Sequence, residues 1–123
     1  MECKMDREKI VRQYLVSMEM GDLEATCACF SDGATVTSPV YGSMPIRPFY
    51  ERLYGDTRAA KVDIRDIFSS VGNADHWGAH FDYKWTRHDG TSLSSSLVDI
   101  FRFVPGMEKI EHLEIIFDRS AIK

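Results

Sequence analysis

Between Asp6 and Met20 the apolar residues Ile10, Val11, Tyr14, Leu15 and Met18 recur every three or four positions, drawing one apolar stripe along a helix. Gly21 can take the left-handed backbone that ends such a helix, and Asp22 is a good cap for the next. That second helix is expected over about Leu23–Phe30, closed by Ser31-Asp32-Gly33. A short β-prone stretch, Ala34–Thr37, ends at Ser38-Pro39, and a loop, Val40–Arg47, leads to Pro48, a favoured first helical residue. Phe49, Tyr50 and Leu53 form the apolar face of a third helix that ends at Gly55.

From there the period changes from helical to alternating. Val62, Ile64 and Ile67, with Asp63 and Arg65 opposed, mark a first long strand, followed by a turn at Gly72-Asn73-Ala74-Asp75. Along Trp77–Trp85, Phe81, Tyr83 and Trp85 share one face, while Asp82 and Lys84 share the other. Arg87–Thr91 is a hairpin loop with an Asp-Gly turn signal. Ser92–Val104 is the next strand, Pro105–Glu108 a turn and Ile110–Phe117 the last strand. Helices first and hairpin-joined strands afterwards predict a single α+β domain over 1–123, a strongly curved antiparallel sheet with the helices packed on one face. Such a sheet forms a cone with one open mouth, a natural pocket for a small apolar ligand.

One residue breaks the apolar pattern. In Leu97–Phe103, alternation puts Leu97, Asp99, Phe101 and Phe103 on one face and Val98, Ile100 and Arg102 on the other. A carboxyl beside two phenylalanines is costly to bury charged, so it keeps its proton or finds hydrogen-bond partners, and perturbed acids of this kind concentrate at functional sites. The competing reading is an acid that reaches solvent at a strand edge, or one tied to a backbone amide.

Composition narrows the function classes. The net charge of −4, with no basic stripe, speaks against nucleic acid as a partner. No apolar run is long enough to span a membrane, and Met1–Arg7 lacks the apolar core of a signal peptide, so a cytoplasmic protein is expected. Three cysteines make no disulfide framework, and the Cys27/Cys29 spacing suits neither zinc nor a redox pair. At least one of these two is read as a small core residue. No metal-ligand spacing, phosphate loop or nucleotide fingerprint is present, so neither metal nor cofactor is expected. The charges Lys4, Asp6, Arg7, Glu8, Lys9 and Arg12 read mainly as the solvated face of the first helix.

Several placed segments together resemble a known family. They are Tyr14 seven residues before Gly21-Asp22, the run Asp32-Gly33-Ala34-Thr35-Val36, Pro39 and Gly42, the pair Phe49-Tyr50, and Val98-Asp99-Ile100-Phe101-Arg102-Phe103. Their order and spacing, from about Ile10 to Phe117, resemble the nuclear-transport-factor-2-like (SnoaL-like) superfamily and, within it, bacterial ketosteroid isomerase. The resemblance implies a steroid-type ligand, an oxyanion hole made by a tyrosine and a protonated aspartate, and a general base that carries the proton. Tyr14 and Asp99 match the two donors. Ser38, immediately before Pro39, stands where the family places its basic aspartate. A serine hydroxyl cannot shuttle a proton as a carboxylate does, and a general base contributes about 10² to 10⁴ in rate. Efficient isomerisation by the family route is therefore not expected.

Other bases can be weighed from alternation. His80 and Asp82 face away from Phe81, Tyr83 and Trp85, His76 and His88 sit at turns, and Glu114 faces away from Leu113, Ile115 and Phe117. Glu111 lies between apolar neighbours, and Tyr41 stands beside Ser38 as a lid or packing group. The related limonene epoxide hydrolases carry an arginine and a second aspartate where this chain has Leu97 and Ile115, so that route is not supported. Polyketide cyclases of the superfamily, which need one acid and little else, stay open. The reading is thus a protein that binds a small apolar molecule with a carbonyl or phenol oxygen at Tyr14 and Asp99. Phe81, Tyr83, Trp85, Phe101, Phe103 and Phe117 line its pocket. A polyketide cyclase- or isomerase-like enzyme with a different base, or a non-catalytic interaction domain, is the alternative. A homodimer is expected through the outer face of the sheet, where Val98, Ile100 and Ile116 are apolar.

Overall fold

Asp6 accepts the N–H of Lys9 at 3.0 Å and opens α1 (Arg7–Met20) in the computed structural model, which describes residues 6–118 and 120. Gly21 ends the helix in the left-handed conformation (φ 66°), where a side chain would be strained. Asp22 then caps α2 (Leu23–Ala28), accepting the N–H of Ala25 at 3.1 Å. This helix is two residues shorter than the sequence suggests. The N–H of Cys29 turns back to Thr26 O, and Phe30 already pairs with Ile110 as the first residue of β1 (Phe30–Ser38).

The expected loop Val40–Arg47 contains a short strand, β2 (Gly42–Pro45), antiparallel to β1, and the start of α3 (Ile46–Asp56). Pro48 lies in the first turn of α3 rather than at its first position, where the missing N–H is equally harmless. Four long strands follow: β3 (Thr57–Ser69), β4 (His76–Arg87), β5 (Ser92–Phe103) and β6 (Ile110–Ile116). The order across the sheet is β2-β1-β6-β5-β4-β3, with β1 parallel to β6 and every other neighbour antiparallel. The sheet is curved and does not close on itself, and the fold is α+β as expected.

The inner face carries the core. Phe81, Tyr83 and Trp85 of β4, and Leu97, Asp99, Phe101 and Phe103 of β5, are all buried, as strict alternation predicts. Val11, Tyr14, Leu15 and Met18 of α1, with Phe49, Tyr50 and Leu53 of α3, pack against them. On the outer face, Phe68 of β3 lies over Gly78, where a Cβ would collide with the ring. Ile116 on this face is 46% exposed, while Val98 and Ile100 are partly buried. Cys29 is buried and its thiol is pushed up to about 11 by desolvation, which makes it an inert core residue.

Arg7 departs from the expected solvated face. Its guanidinium is 6% exposed and stacks 4.9 Å from the Phe103 ring centroid. It donates to Ala74 O, Val104 O and Met107 O, and pairs with Asp75 at 2.8 Å. One helical arginine thus ties the β3–β4 and β5–β6 turns together. Lys4, read with the same face, lies outside the described residues.

Candidate functional site

The inner faces of the sheet and α1, α3 and the β1–β2 turn enclose one apolar cavity. β4 supplies Phe81, Tyr83 and Trp85, and β5 supplies Leu93, Leu97 and Asp99. Ile115 and Phe117 come from β6 and the residue just past it. Met18, Phe49 and Leu53 from the helices, and Ser38, Val40 and Tyr41 from the turn, close the other side. Its volume is about 40 Å³, little more than the ~30 Å³ share of one liquid water. Ligand pockets commonly start near ~300 Å³. In this conformation the cone is filled by its own side chains, and a ligand enters only by displacing some of them.

Asp99 is the one carboxyl in this wall among the described residues. It is 1% exposed, and both oxygens are buried with no hydrogen-bond partner among the described residues. Burial alone drives its pKa well above the ordinary carboxylate range and favours the neutral acid. Its charge, were it ionised, would raise the pKa values of Tyr14, Tyr50 and Tyr83, so these hydroxyls share its neighbourhood.

Tyr14 is fully buried behind the wall rather than in it. Its hydroxyl lies 2.5 Å from that of Tyr50 and 3.5 Å from Met18 Sδ. Burial first, and the neighbouring Tyr50 next, hold its pKa well above the tyrosine range. Met18, a flexible thioether, both touches the Tyr14 hydroxyl and lines the cavity. Ser38 is in the wall and 7% exposed. Its Oγ accepts the N–H groups of Val40 at 3.2 Å and Tyr41 at 3.1 Å, which pins the turn that carries Tyr41.

Of the six aromatic residues expected around the pocket, Phe81, Tyr83, Trp85 and Phe117 line it. Phe101 and Phe103 are fully buried but do not. Phe101 is covered by the edge of Tyr14 (ring centroids 5.4 Å apart) and Phe103 by Arg7, so α1 fills the space in front of both. Leu97 and Ile115 are apolar wall residues. The alternative bases lie elsewhere. Asp82 accepts from Arg65 and Ser96 on the outer face, which holds its carboxyl below the usual range. Glu111 pairs with Arg102 at 2.8 Å, Glu114 and His88 are exposed, and none of these, nor His76 or His80, lines the cavity. Among the described residues no group of His, Cys, Asp and Glu could hold a metal ion, and no helix is long and apolar enough to cross a membrane. The hydrogen bond of Tyr50 to Tyr14 was hidden in the sequence, where Tyr50 reads as part of an apolar helix face and of the Phe49-Tyr50 pair.

No protein-family model matches the chain, and no curated protein matches it. Solved structures do. The Δ5-3-ketosteroid isomerase from Mycobacterium sp. superposes with a TM-score of 0.74 at 18% identity, over 94% of this chain and 95% of that one. The chain has the ketosteroid-isomerase-like fold. A protein with this fold from Catenulispora acidiphila, in complex with trimethylamine, matches with a TM-score of 0.78 at 16% identity over 92% of this chain and 88% of that one. SalBIII, an epoxide hydrolase/cyclase-like enzyme with a role in forming a pyran ring of the polyether salinomycin, gives 0.78 at 17% identity, with 94% and 93% covered. Identities this low establish the ketosteroid-isomerase-like fold and leave the chemistry to the residues of the site.

Proposed function

We propose that this protein binds a small, mainly apolar molecule through one carbonyl or phenol oxygen, with Asp99 as the neutral hydrogen-bond donor. The observation that supports this most is the Asp99 carboxyl itself. A buried acid with both oxygens unpartnered costs stability, and an acceptor placed in the cavity offsets that cost. Tyr14 joins as second donor once Met18 swings aside, and Tyr50 holds its hydroxyl in place. Neighbours in this fold include a protein in complex with trimethylamine and an enzyme acting in polyether assembly, in keeping with a small-molecule site.

Titration with 2-naphthol, followed through the naphthol's own fluorescence, tests the reading. Loss of a buried donor facing the ligand is worth about 1–3 kcal/mol, so Asp99→Leu should weaken binding by about fivefold or more. Tyr14→Phe should weaken it less. An affinity unchanged by Asp99→Leu overturns the assignment.

Turnover is a separate matter. Ser38 lines the cavity where the resemblance places a basic aspartate, and apart from Asp99, whose burial favours the neutral acid, no described wall residue is a carboxylic acid or imidazole that could take its place. The unmodified protein should isomerise a β,γ-unsaturated ketosteroid very slowly. Ser38→Asp should raise the rate by an amount within the ~10²–10⁴ range of a general base. Fast turnover by the unmodified protein, read by absorbance of the conjugated product, would refute the missing-base account.

A further inference from the structure

The cavity wall holds five polar side chains, Ser38, Tyr41, Tyr83, Trp85 and Asp99, and three of them are already committed within the protein. Ser38 Oγ accepts two backbone N–H groups, and the Tyr41 hydroxyl donates to Asp56 Oδ2 at 2.5 Å. The indole N–H of Trp85 donates to Thr57 Oγ1 at 2.7 Å. Asp99 and Tyr83 are left over. A ligand with a single oxygen uses only the first.

Tyr83 differs from the other four tyrosines of the chain. Tyr14 and Tyr50 pair with each other, Tyr54 with Thr26 Oγ1 at 2.6 Å, and Tyr41 with Asp56. The Tyr83 hydroxyl has no hydrogen-bond partner among the described residues, although the residue is only 6% exposed. A buried tyrosine hydroxyl ordinarily finds a partner, because leaving it unpaired forfeits the bond it makes to water in the unfolded chain. Alternation along β4 turns Tyr83 inward, where Phe81 meets its ring edge-on with 6.2 Å between centroids. Its cross-strand neighbour Ser95 turns its own hydroxyl to Ser96 O at 3.3 Å instead. Asp99 stands opposite Ala79 on the same inner face, with Phe81 between Ala79 and Tyr83. Desolvation first, then the charges of Tyr54 and Asp99, hold the Tyr83 pKa above the tyrosine range. Its hydroxyl therefore keeps its proton, and it can donate as well as accept.

We propose that Tyr83 anchors a second oxygen of the ligand, which is a compact dihydroxy or hydroxy-keto ring system with its other oxygen at Asp99. This rests on the reading of Asp99 given above and adds the class of molecule. Asp99, as a neutral acid, gives its proton to a carbonyl or phenol oxygen, and Tyr83 takes either a hydroxyl or a carbonyl. The two groups are the polar side chains of the wall that a ligand can satisfy without breaking a bond inside the protein. A cavity of about 40 Å³ suits a small rigid skeleton. Such a skeleton also gives up little internal freedom on entering.

The test titrates 2-naphthol and the dihydroxynaphthalene isomers against the whole protein, each followed by its own fluorescence. One more hydrogen bond in a buried site is worth about fivefold in affinity, so the best-placed diol should bind more tightly than 2-naphthol by about that factor. In Tyr83→Phe the ratio of the two affinities should fall to about one, whereas Asp99→Leu should weaken both ligands. Tyr83→Phe removes no hydrogen bond within the protein, so its urea midpoint should not fall. A clear fall means that the hydroxyl has a partner in the folded chain, and it overturns the proposal. Equal affinity for 2-naphthol and every diol overturns it too, as does a diol preference that survives in Tyr83→Phe. If 2-naphthol binds and Asp99→Leu weakens it while no diol gains, Asp99 keeps its role and Tyr83 alone loses its own. If neither 2-naphthol nor any diol binds, the reading of the cavity fails and this one falls with it.

Discussion

Asp99→Asn should make the protein more stable at neutral pH and leave its stability nearly unchanged in acid. The folded state favours the protonated carboxyl, because burial raises its pKa, whereas the unfolded chain releases that proton near the ordinary aspartate value of about 3.9. The native state therefore binds more protons than the unfolded one as pH rises. Between the unfolded and the folded pKa, stability falls by about 1.4 kcal/mol per pH unit. Asparagine has the same shape and no proton to lose, so the gap between variant and wild type should open above about pH 4 and stop widening at the folded pKa. Urea denaturation at a series of pH values measures this directly. Carboxylates held below their usual range, such as Asp82 and Asp89, affect both proteins alike and cancel in the difference. Parallel curves would mean that Asp99 is ionised in the folded protein, and the neutral-donor role would be lost with it.

The second large effect is structural. Arg7→Met keeps the aliphatic stem over Phe103 but removes every hydrogen bond to Ala74, Val104, Met107 and Asp75. Hydrogen bonds to a charged group are worth about 1.5–3 kcal/mol each, and breaking a buried ion pair costs about 3–5 kcal/mol. Asp75 keeps 32% of its side chain exposed and can rehydrate, so a net loss of about 3 kcal/mol is expected. Arg7→Lys should recover only part of it, since one ammonium cannot span both turns. A loss within the ~0.5 kcal/mol range of ordinary surface substitutions, read from the urea midpoint, would show that the two turns hold without the clamp.

What the sequence made legible follows from how locally each feature is encoded. The alternation Phe81-Asp82-Tyr83-Lys84-Trp85 is a strong period-two signal, because one face of β4 is buried and the other is not. The same rule placed Asp99 indoors. β2 escaped because Gly42–Pro45 is too short to show a period, with Met44 its one side chain packed against the core and the rest of its hold coming mainly from pairing to β1. Arg7 was misread because its partners are backbone carbonyls in turns far along the chain, which leave no trace in local pattern. Phe101 and Phe103 share the face of Asp99, yet only tertiary packing decides that α1 covers them while Asp99 keeps the cavity. The small size of that cavity depends on side chains from six separate elements, and no pattern in the sequence encodes such a sum.

The parallel pairing of β1 with β6 sets a timetable for the nascent chain. β1 is synthesised early, yet its one neighbour besides β2 is β6, the last of the six strands in chain order. Until β6 docks, Val36 lacks Leu113 beside it, and Asp99 lacks Ile115, its register partner in β6. Burial of the acid, and with it the shift toward the protonated form, therefore waits for the docking of that strand. Completion of the sheet and neutralisation of the one buried acid among the described residues are coupled.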